Sequence, residues 1–486
     1  MFSLFTSQSF AAGCKIPKKP KEKIIEAPKA VLKKQKNLSN KSSDTQTTTI
    51  TKYLAIAKNK KNKLIQIKSR KYFSASWAKE DVIKTCKLAF KSRGAEMQNA
   101  CYVDKVIEKK EKITIPKNRI KKVLANRRTV NVFNAWNAEY GTKKYSLYWS
   151  KTLRPPDLSY LGVIEIYWNY HHLNKPKWKY AGLEPFITKR KWGARGHSAG
   201  GEYGKTVYVN YSHPKYAEYF SDLVFEKAHR FEVDGVLLDW WHNEHPGASK
   251  VKVKKARRKI AEAIRNKMGE EFIILGNVNW HGDGDTHDLI NGVFMELSKT
   301  KKTSSAYSCH EIAKIEKLIK FHDQNLSEPR IIAVNPWRIT KKVPKELVKK
   351  LTKERFEAEF EDLSKSEKKW FTNYWKLNYR SSPENIQFAK LFTAMAMVIP
   401  ENGYILYGDN NRDSPAGDHH HTYYDFYNID LGKATSHGME ITEGLGYKKY
   451  EKGLIAYNRT KFKYIIKFKD GKKVEIGPLE GVFVKD

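Results

Sequence analysis

Between residues 129 and 410 the chain repeats one pattern: a short, nearly continuous apolar run, then a longer segment whose apolar positions recur at helical spacing. The apolar runs are TVNVFNAW (129–136), GVIEIYW (162–168), TVYVNY (206–211), VDGVLLDWW (233–241), EFIILGNVNW (271–280), NGVFMEL (291–297), RIIAVNPW (330–337) and GYILYGDN (403–410). The helical segments include PKYAEYFSDLVFEKAHRF, VKVKKARRKIAEAIRNKMG, HEIAKIEKLIKFH and PENIQFAKLFTAMAMV. Runs of this kind alternating with helices predict a parallel sheet covered on its outer side. Eight of them within one stretch predict an α/β fold of the (β/α)8 barrel class. An open doubly wound sheet would carry a glycine-rich phosphate loop after its first strand, and none is present.

The ends of the runs carry the chemistry. They close on Asp239-Trp240-Trp241-His242, Asn277-Val278-Asn279-Trp280, Glu296, Asn335-Pro336-Trp337-Arg338 and Tyr407-Gly408-Asp409-Asn410, with Trp168 ending the second run. In a barrel these positions gather on the C-terminal face, where active sites are built. Indole faces suit the C–H faces of pyranose rings, and amides and carboxylates suit hydroxyls. Apolar runs leading straight into Asp239 and Glu296 are notable, because a buried carboxylate is costly without a purpose. Paired, the two acids could cleave a glycosidic bond; alternatively, either could pair with Arg338 or a nearby lysine. Glu165, inside its run, is a runner-up acid.

The segment from YVNYSHPKYAEYF to GVLLDWW, continued by GNVNW, NGVFMEL and LYGDNN, resembles glycoside hydrolase barrels, most of all the hypothetical glycosyl hydrolase family 15 group of bacterial proteins, over about residues 130–480. The resemblance implies a TIM-barrel glycosidase with Asp239 after strand four and Glu296 after strand six. Acids at those strands also resemble retaining α-glycosidases of the α-galactosidase type, which carry Asp at the second position; Glu296 departs from that. The expected substrate is an oligo- or polysaccharide. Substrate contacts are expected from Trp168, Trp240, Trp241, His242, Asn277, Asn279, Trp280, Asn335, Trp337, Arg338, Tyr407, Asp409 and Asn410. No cofactor is expected. Asp409, Asp413 and Asp418, or His419 to His421, offer a weaker divalent-metal alternative, and no metal is assigned. A carbohydrate-binding barrel without turnover is the competing class.

Flanking segments differ in texture. Residues 1–48 combine a signal-like or lipobox-like opening at Ala11-Ala12-Gly13-Cys14 with a Lys/Pro/Ser-rich stretch expected to be a flexible linker. Residues 49–110 read as a small α+β module, 125–435 as the barrel and 436–486 as a small antiparallel β-domain. A charged insertion at 340–380 is expected either to cap the cleft or to be a solvated hairpin. The small module resembles secreted modules in which a helix cysteine pairs with one before the last strand; that resemblance implies a Cys86–Cys101 disulfide, the alternative being two free thiols. Cys309 reads as an isolated core thiol. Disulfides and a signal-like start imply export to the periplasm or beyond, with a membrane tether through a lipidated Cys14 as one form of it.

Charge adds one further class. The 486 residues carry 91 Lys+Arg against 53 Asp+Glu, a net charge of +38. Residues 1–130 hold 33 cations and 9 acids, so the excess is mainly N-terminal. Only 18 of the cations are Arg, the better residue for phosphate and base recognition, so nucleic-acid or anionic-surface binding stands behind the glycosidase reading.

Overall fold

The structure, a computed structural model, describes residues 13–29, 31, 45–69, 75–116, 119–135, 145–149, 158–172, 184–186, 206–245, 248–299, 305–342, 344–346, 381–410, 419–421 and 423–486. Most of the 340–380 insertion, together with Asp413 and Asp418, lies outside the described residues.

Eight parallel strands form the central sheet: β1 (Phe133–Asn134), β2 (Leu147–Trp149), β3 (Leu161–Ile166), β4 (Gly235–Leu238), β5 (Ile273–Asn277), β6 (Gly292–Leu297), β7 (Ile331–Pro336) and β8 (Asn402–Ile405). They pair in chain order, and a parallel bridge from Val132 to Ile405 closes the first strand onto the last. The Ile405 N–H donates to the Asn131 carbonyl at 2.9 Å across that seam. This is a (β/α)8 barrel.

Helices α1 (Tyr216–Phe231), α2 (Lys250–Met268), α3 (Cys309–Asn325) and α4 (Pro383–Val398) cover its outer side. Alternation along each strand separates two cores. Phe133, Leu147, Trp149, Val163, Leu237, Leu275, Phe294, Ala333 and Leu406 fill the barrel interior. Ile164, Val236, Leu238, Ile274, Val293, Ile332 and Ile405 pack outward against the helices. Ser308 and Ser382 cap the N-termini of α3 and α4 through their hydroxyls, the former in a full capping box with Glu311.

One expected strand is misplaced by the sequence pattern. Thr206–Tyr208, from TVYVNY, pairs antiparallel with Tyr170–His172 and is not part of the barrel. The second barrel strand is Leu147–Trp149. TVYVNY alternates apolar and polar positions, the signature of a strand with one wet face, whereas strands of a covered parallel sheet read apolar on both faces. The error cancels in the count, so Asp239 still follows strand four and Glu296 still lies on strand six.

Two further β units accompany the barrel. Cys101–Pro116, Thr45–Asn59 and Asn62–Lys68 make a three-stranded sheet under the helix Ala75–Ala89, with Cys86 disulfide-bonded to Cys101 as the module resemblance implied. At the C-terminal end, Met439–Thr442, Leu445–Tyr450, Gly453–Asn458 and Glu480–Lys485 form one sheet; Lys463–Lys467 and Lys473–Ile476 belong to a second.

That second sheet corrects the expectation for the N-terminal stretch. Glu22–Glu26 is its third strand, parallel to Lys463–Lys467, and Ala27 is buried beside it. The described part of the expected linker is therefore docked, because Ile25 and Ala27 supply apolar contacts that the composition of the whole stretch conceals. Cys309 is not an isolated thiol: it is bonded to Cys14, whose backbone N–H also donates to the Tyr307 carbonyl at 2.7 Å. A sulfur in a disulfide cannot also carry a lipid thioether, so at Cys14 the two chemistries exclude one another.

Candidate active site

The DG pair that opens β4 is structural. Asp234 binds Arg119 at 2.7 Å and accepts the Gly162 N–H at 2.9 Å, tying the strand's lower end to its neighbours. Gly235 is required because a Cβ there would lie 2.4 Å from the Ile273 carbonyl oxygen. From this anchored start, strand alternation sends Leu237 and then Asp239 to the interior side. The same parity applies to Leu275 and Asn277 on β5, Phe294 and Glu296 on β6, and Ala333 and Asn335 on β7. Asn335 is the direct register partner of Glu296.

Asn277 joins the two acids. Its Nδ2 donates to Asp239 Oδ1 and to Glu296 Oε2, each at 2.9 Å. Both oxygens lie on one nitrogen, so they stand at most twice that distance, 5.8 Å, apart. An amide whose two hydrogens diverge by about 120° sets them about 5 Å apart. The amide cannot easily turn over, since its Oδ1 accepts the Asn279 N–H at 3.3 Å. Asn277 is fully buried, Asp239 is 8% exposed and Glu296 is half-buried. The pair is thus held from below and reachable from above.

The backbone bends where these side chains are presented. Trp240 and Asn279 have φ of 52° and 49°, in the left-handed region that non-glycine residues avoid. Such strain, sitting just past the ends of β4 and β5, is the kind that clusters at functional sites.

A group of histidines lies in the segments that follow β4 and β5. His242 stacks on His281 with ring centroids 4.3 Å apart, and His245 lies edge-on to His242 at 5.5 Å. Burial, with the nearby His281, His245 and Arg257, pushes the His242 pKa down to about 2. Burial likewise lowers His245 to about 4, against the hydrogen bond it makes to the Trp240 carbonyl. Both rings are therefore neutral at neutral pH. His242 Nδ1 accepts the Glu244 N–H at 3.3 Å, which leaves its proton on Nε2. Among the described residues, no cluster of His, Cys, Asp or Glu has a metal-holding arrangement.

Several of the residues expected to contact sugar are buried. Trp241 is fully buried: its ring lies on Gly276, where a Cβ would come within 2.4 Å of the indole, and its N–H donates to Thr286 Oγ1 at 3.0 Å. Trp168 is fully buried against Trp241, Tyr211 and His245. Trp337 is buried as well, with its carbonyl accepting the Tyr307 hydroxyl. Tyr407 is buried with its hydroxyl on Asn385 Oδ1 of α4 at 2.9 Å. The rings of Trp168, Trp241 and Tyr407 belong to the core between strands and helices. Trp240, Asn279 and Trp280 remain half-buried at the strand ends, with Trp280 also donating to the Ser298 carbonyl and lying under Lys314. His242, Asn335 and Arg338 are buried; Asn335 Nδ2 donates to the Leu406 carbonyl at 2.7 Å. Asp409 and Asn410 belong to a short ribbon, Gly408–Asn410 with His419–His421, whose side chains lie outside the described residues.

The structure adds groups that the sequence reading missed. Trp149 tops the unrecognised strand β2 on the interior side, edge-on to Phe294 at 5.9 Å. His245 and His281 complete the histidine group; the only available signal was the His242-x-x-His245 spacing next to a strand end. Glu165, the runner-up acid already named from the sequence, takes the interior parity of β3 and is register partner of Leu237, one step below Asp239.

No protein-family model and no curated protein matches the chain. Among solved structures it is similar to the glycoside hydrolase domain of PelA from Pseudomonas aeruginosa, with 8% identity over 47% of this chain and 90% of that one, and a TM-score of 0.31. An α-amylase from Geobacillus thermoleovorans shares 11% identity over 73% of this chain and 96% of its own, at a TM-score of 0.37. An α-galactosidase from Thermus thermophilus shares 12% identity over 65% of this chain and 66% of its own, at 0.30. The barrel itself rests on the strand order and closure described above.

Proposed function

We propose that the chain is a glycoside hydrolase that cleaves an oligo- or polysaccharide with retention of anomeric configuration, using Asp239 as nucleophile and Glu296 as general acid/base. The observation that carries this reading is the Asn277 amide bridging both carboxylates, which brings one oxygen of each to no more than 5.8 Å from the other. Retaining enzymes space their acids at about 5–5.5 Å, whereas inverting ones leave about 6.5–9.5 Å for a water.

In the first step an Asp239 oxygen bonds to the anomeric carbon as the bond to the leaving oxygen breaks, and Glu296 gives its proton to that oxygen. In the second, Glu296 takes a proton from water, the water oxygen bonds to the anomeric carbon, and Asp239 leaves. The Asn277 amide holds Asp239, the more buried of the two acids, in a fixed position, which suits a nucleophile. Glu296, the more open of the two, has access to the leaving group and the incoming water. Among the described residues, Trp240 and Trp280 are half-buried aromatic residues at the strand ends, open enough to meet a sugar ring. Two disulfides are in keeping with an oxidising compartment, and we place the enzyme there, exported from the cytoplasm.

A polysaccharide digestion screen, followed by proton NMR of the first-formed anomer, tests the reading. Asp239→Asn and Glu296→Gln are each expected to lower turnover by at least about a thousandfold while substrate still binds. Azide is expected to rescue Glu296→Ala, because a small anion can complete the second step without a general base. Wild-type turnover in both acid variants, or an inverted product, would overturn it.

A further inference from the structure

A cavity of about 290 Å³ lies at the opposite end of the barrel from the carboxylate pair. Its walls come from the segment leading into β1, the start of β8 and the C-terminal β-domain, so it opens at the N-terminal ends of the strands. Four cations line it: Arg127, Arg128, Lys433 and Lys448. The carboxylate among the lining residues is Glu401, whose Oε2 already faces His437 Nδ1 at 3.1 Å. The wall is built rather than merely exposed. Lys448 is buried, with its Nζ fixed by the Met397 and Pro400 carbonyls at 2.7 and 2.8 Å. Arg127 is fixed through Nη1 by the Glu401 carbonyl and Asn402 Oδ1. Arg128 and Lys433 stand at the exposed rim.

Asn131 supplies a second, independent signal. It lines the same cavity and is 5% exposed, and its Oδ1 is buried without a hydrogen-bond partner among the described residues. Its Nδ2 is turned toward the Gly403 carbonyl at 3.4 Å, which identifies the oxygen as the open atom. A buried acceptor left open is costly and asks for a donor. A fully deprotonated inorganic anion such as sulfate offers charge to the four cations and no donor to Asn131. A ligand carrying both an anionic group and hydroxyls satisfies both demands, and the volume suits one ring.

We infer that this cavity is a second saccharide site, one that takes a single acidic sugar unit with its anionic group toward Arg127, Arg128, Lys433 and Lys448 and a hydroxyl donating to Asn131 Oδ1. Its saccharide character rests on the glycosidase reading; binding there needs no catalysis. Such a site would hold an acidic polysaccharide at a distance from the bond being cleaved.

Calorimetric titration of the whole chain with glucuronate, glucose and sulfate tests it. Glucuronate is expected to bind saturably, with glucose and sulfate each at least about tenfold weaker. The rim variant Arg128→Gln/Lys433→Gln, which leaves the buried supports intact, is expected to weaken glucuronate at least about tenfold while leaving turnover of a short neutral substrate unchanged. Asn131→Leu should remove the advantage of glucuronate over sulfate. No saturable glucuronate binding, binding unaltered in the rim variant, or sulfate binding as tightly as glucuronate would each overturn the inference. Loss of turnover in Asp239→Asn with glucuronate binding intact separates this site from the catalytic one.

Discussion

At the scale of single residues, Asn277 does what neither acid can do alone. Two carboxylates about 5 Å apart repel, and a shared N–H pair offsets that repulsion while fixing the geometry. Asn277→Ala is expected to lower kcat by about a hundredfold or more with little change in KM, because it removes positioning rather than contact with substrate. Asn277→Asp should be worse, replacing the shared donor with a further acidic group beside the pair. A kinetic comparison of the two variants, with circular dichroism to verify folding, measures this. Asp239 and Glu296 were legible in the sequence because an apolar run that ends in a carboxylate is conspicuous. The burial of Trp168, Trp241, Trp337 and Tyr407 was not legible: whether an indole lies inward or outward depends on what meets it, such as the bare Cα of Gly276, and that partner comes from another strand.

At the scale of elements, seven of the eight barrel strands were written as apolar runs, and the eighth, Leu147–Trp149, was too short to stand out. The loop from β5 to β6 is tied to α3 by a pair the pattern could not show. His322 Nε2 donates to the His281 carbonyl at 3.1 Å, which leaves Nδ1 to accept from His287 Nε2 at 2.8 Å. Burial lowers the His287 pKa to about 4 and that of His322 to about 3. An unfolded histidine titrates near about 6.5. Below that value the unfolded chain takes up protons that the folded pair refuses, so stability falls as pH drops from about 6.5 toward 3 and is unaffected above it. The melting temperature should therefore decline through that window, and His287→Gln/His322→Gln should flatten the decline. A pH series of thermal melts decides; equal slopes would remove the pair from the account.

At the scale of the whole molecule, the net charge of +38 said little about the barrel and pointed to the N-terminal region, part of which proves to be docked. Composition averages over such a stretch and hides the few residues that seat it. The barrel and the C-terminal β-domain meet through Glu316 of α3. Its carboxylate accepts from the Tyr457 hydroxyl at 2.7 Å and from Arg459 Nε. Burial pushes its pKa up, but the hydrogen bonds and charge of Tyr457, Arg459 and Lys320 outweigh burial and hold it below the ordinary value. The stability it contributes is thus present at neutral pH and lost as pH falls through the acid range. Glu316→Ala would leave the Tyr457 hydroxyl and Arg459 poorly satisfied at a buried joint, and should destabilise the fold by about 2–4 kcal/mol in denaturant titration. Cys14 and Cys309 are 295 residues apart in sequence, and a crosslink closing so long a loop stabilises by up to about 5 kcal/mol. Cys14→Ser should lower the melting temperature by several degrees and raise amide exchange in Glu22–Glu26; Cys86→Ser should leave that strand's exchange unchanged.

The pairing of Glu22–Glu26 with Lys463–Lys467 also sets an order of events at the ribosome. Residue 22 emerges early and residue 467 some 440 positions later, so the strand must wait, open-edged, through the synthesis of the entire barrel. A nascent chain arrested at residue 450 would still expose that edge to protease or to a second polypeptide, and only the arrival of the last sheet would retire it.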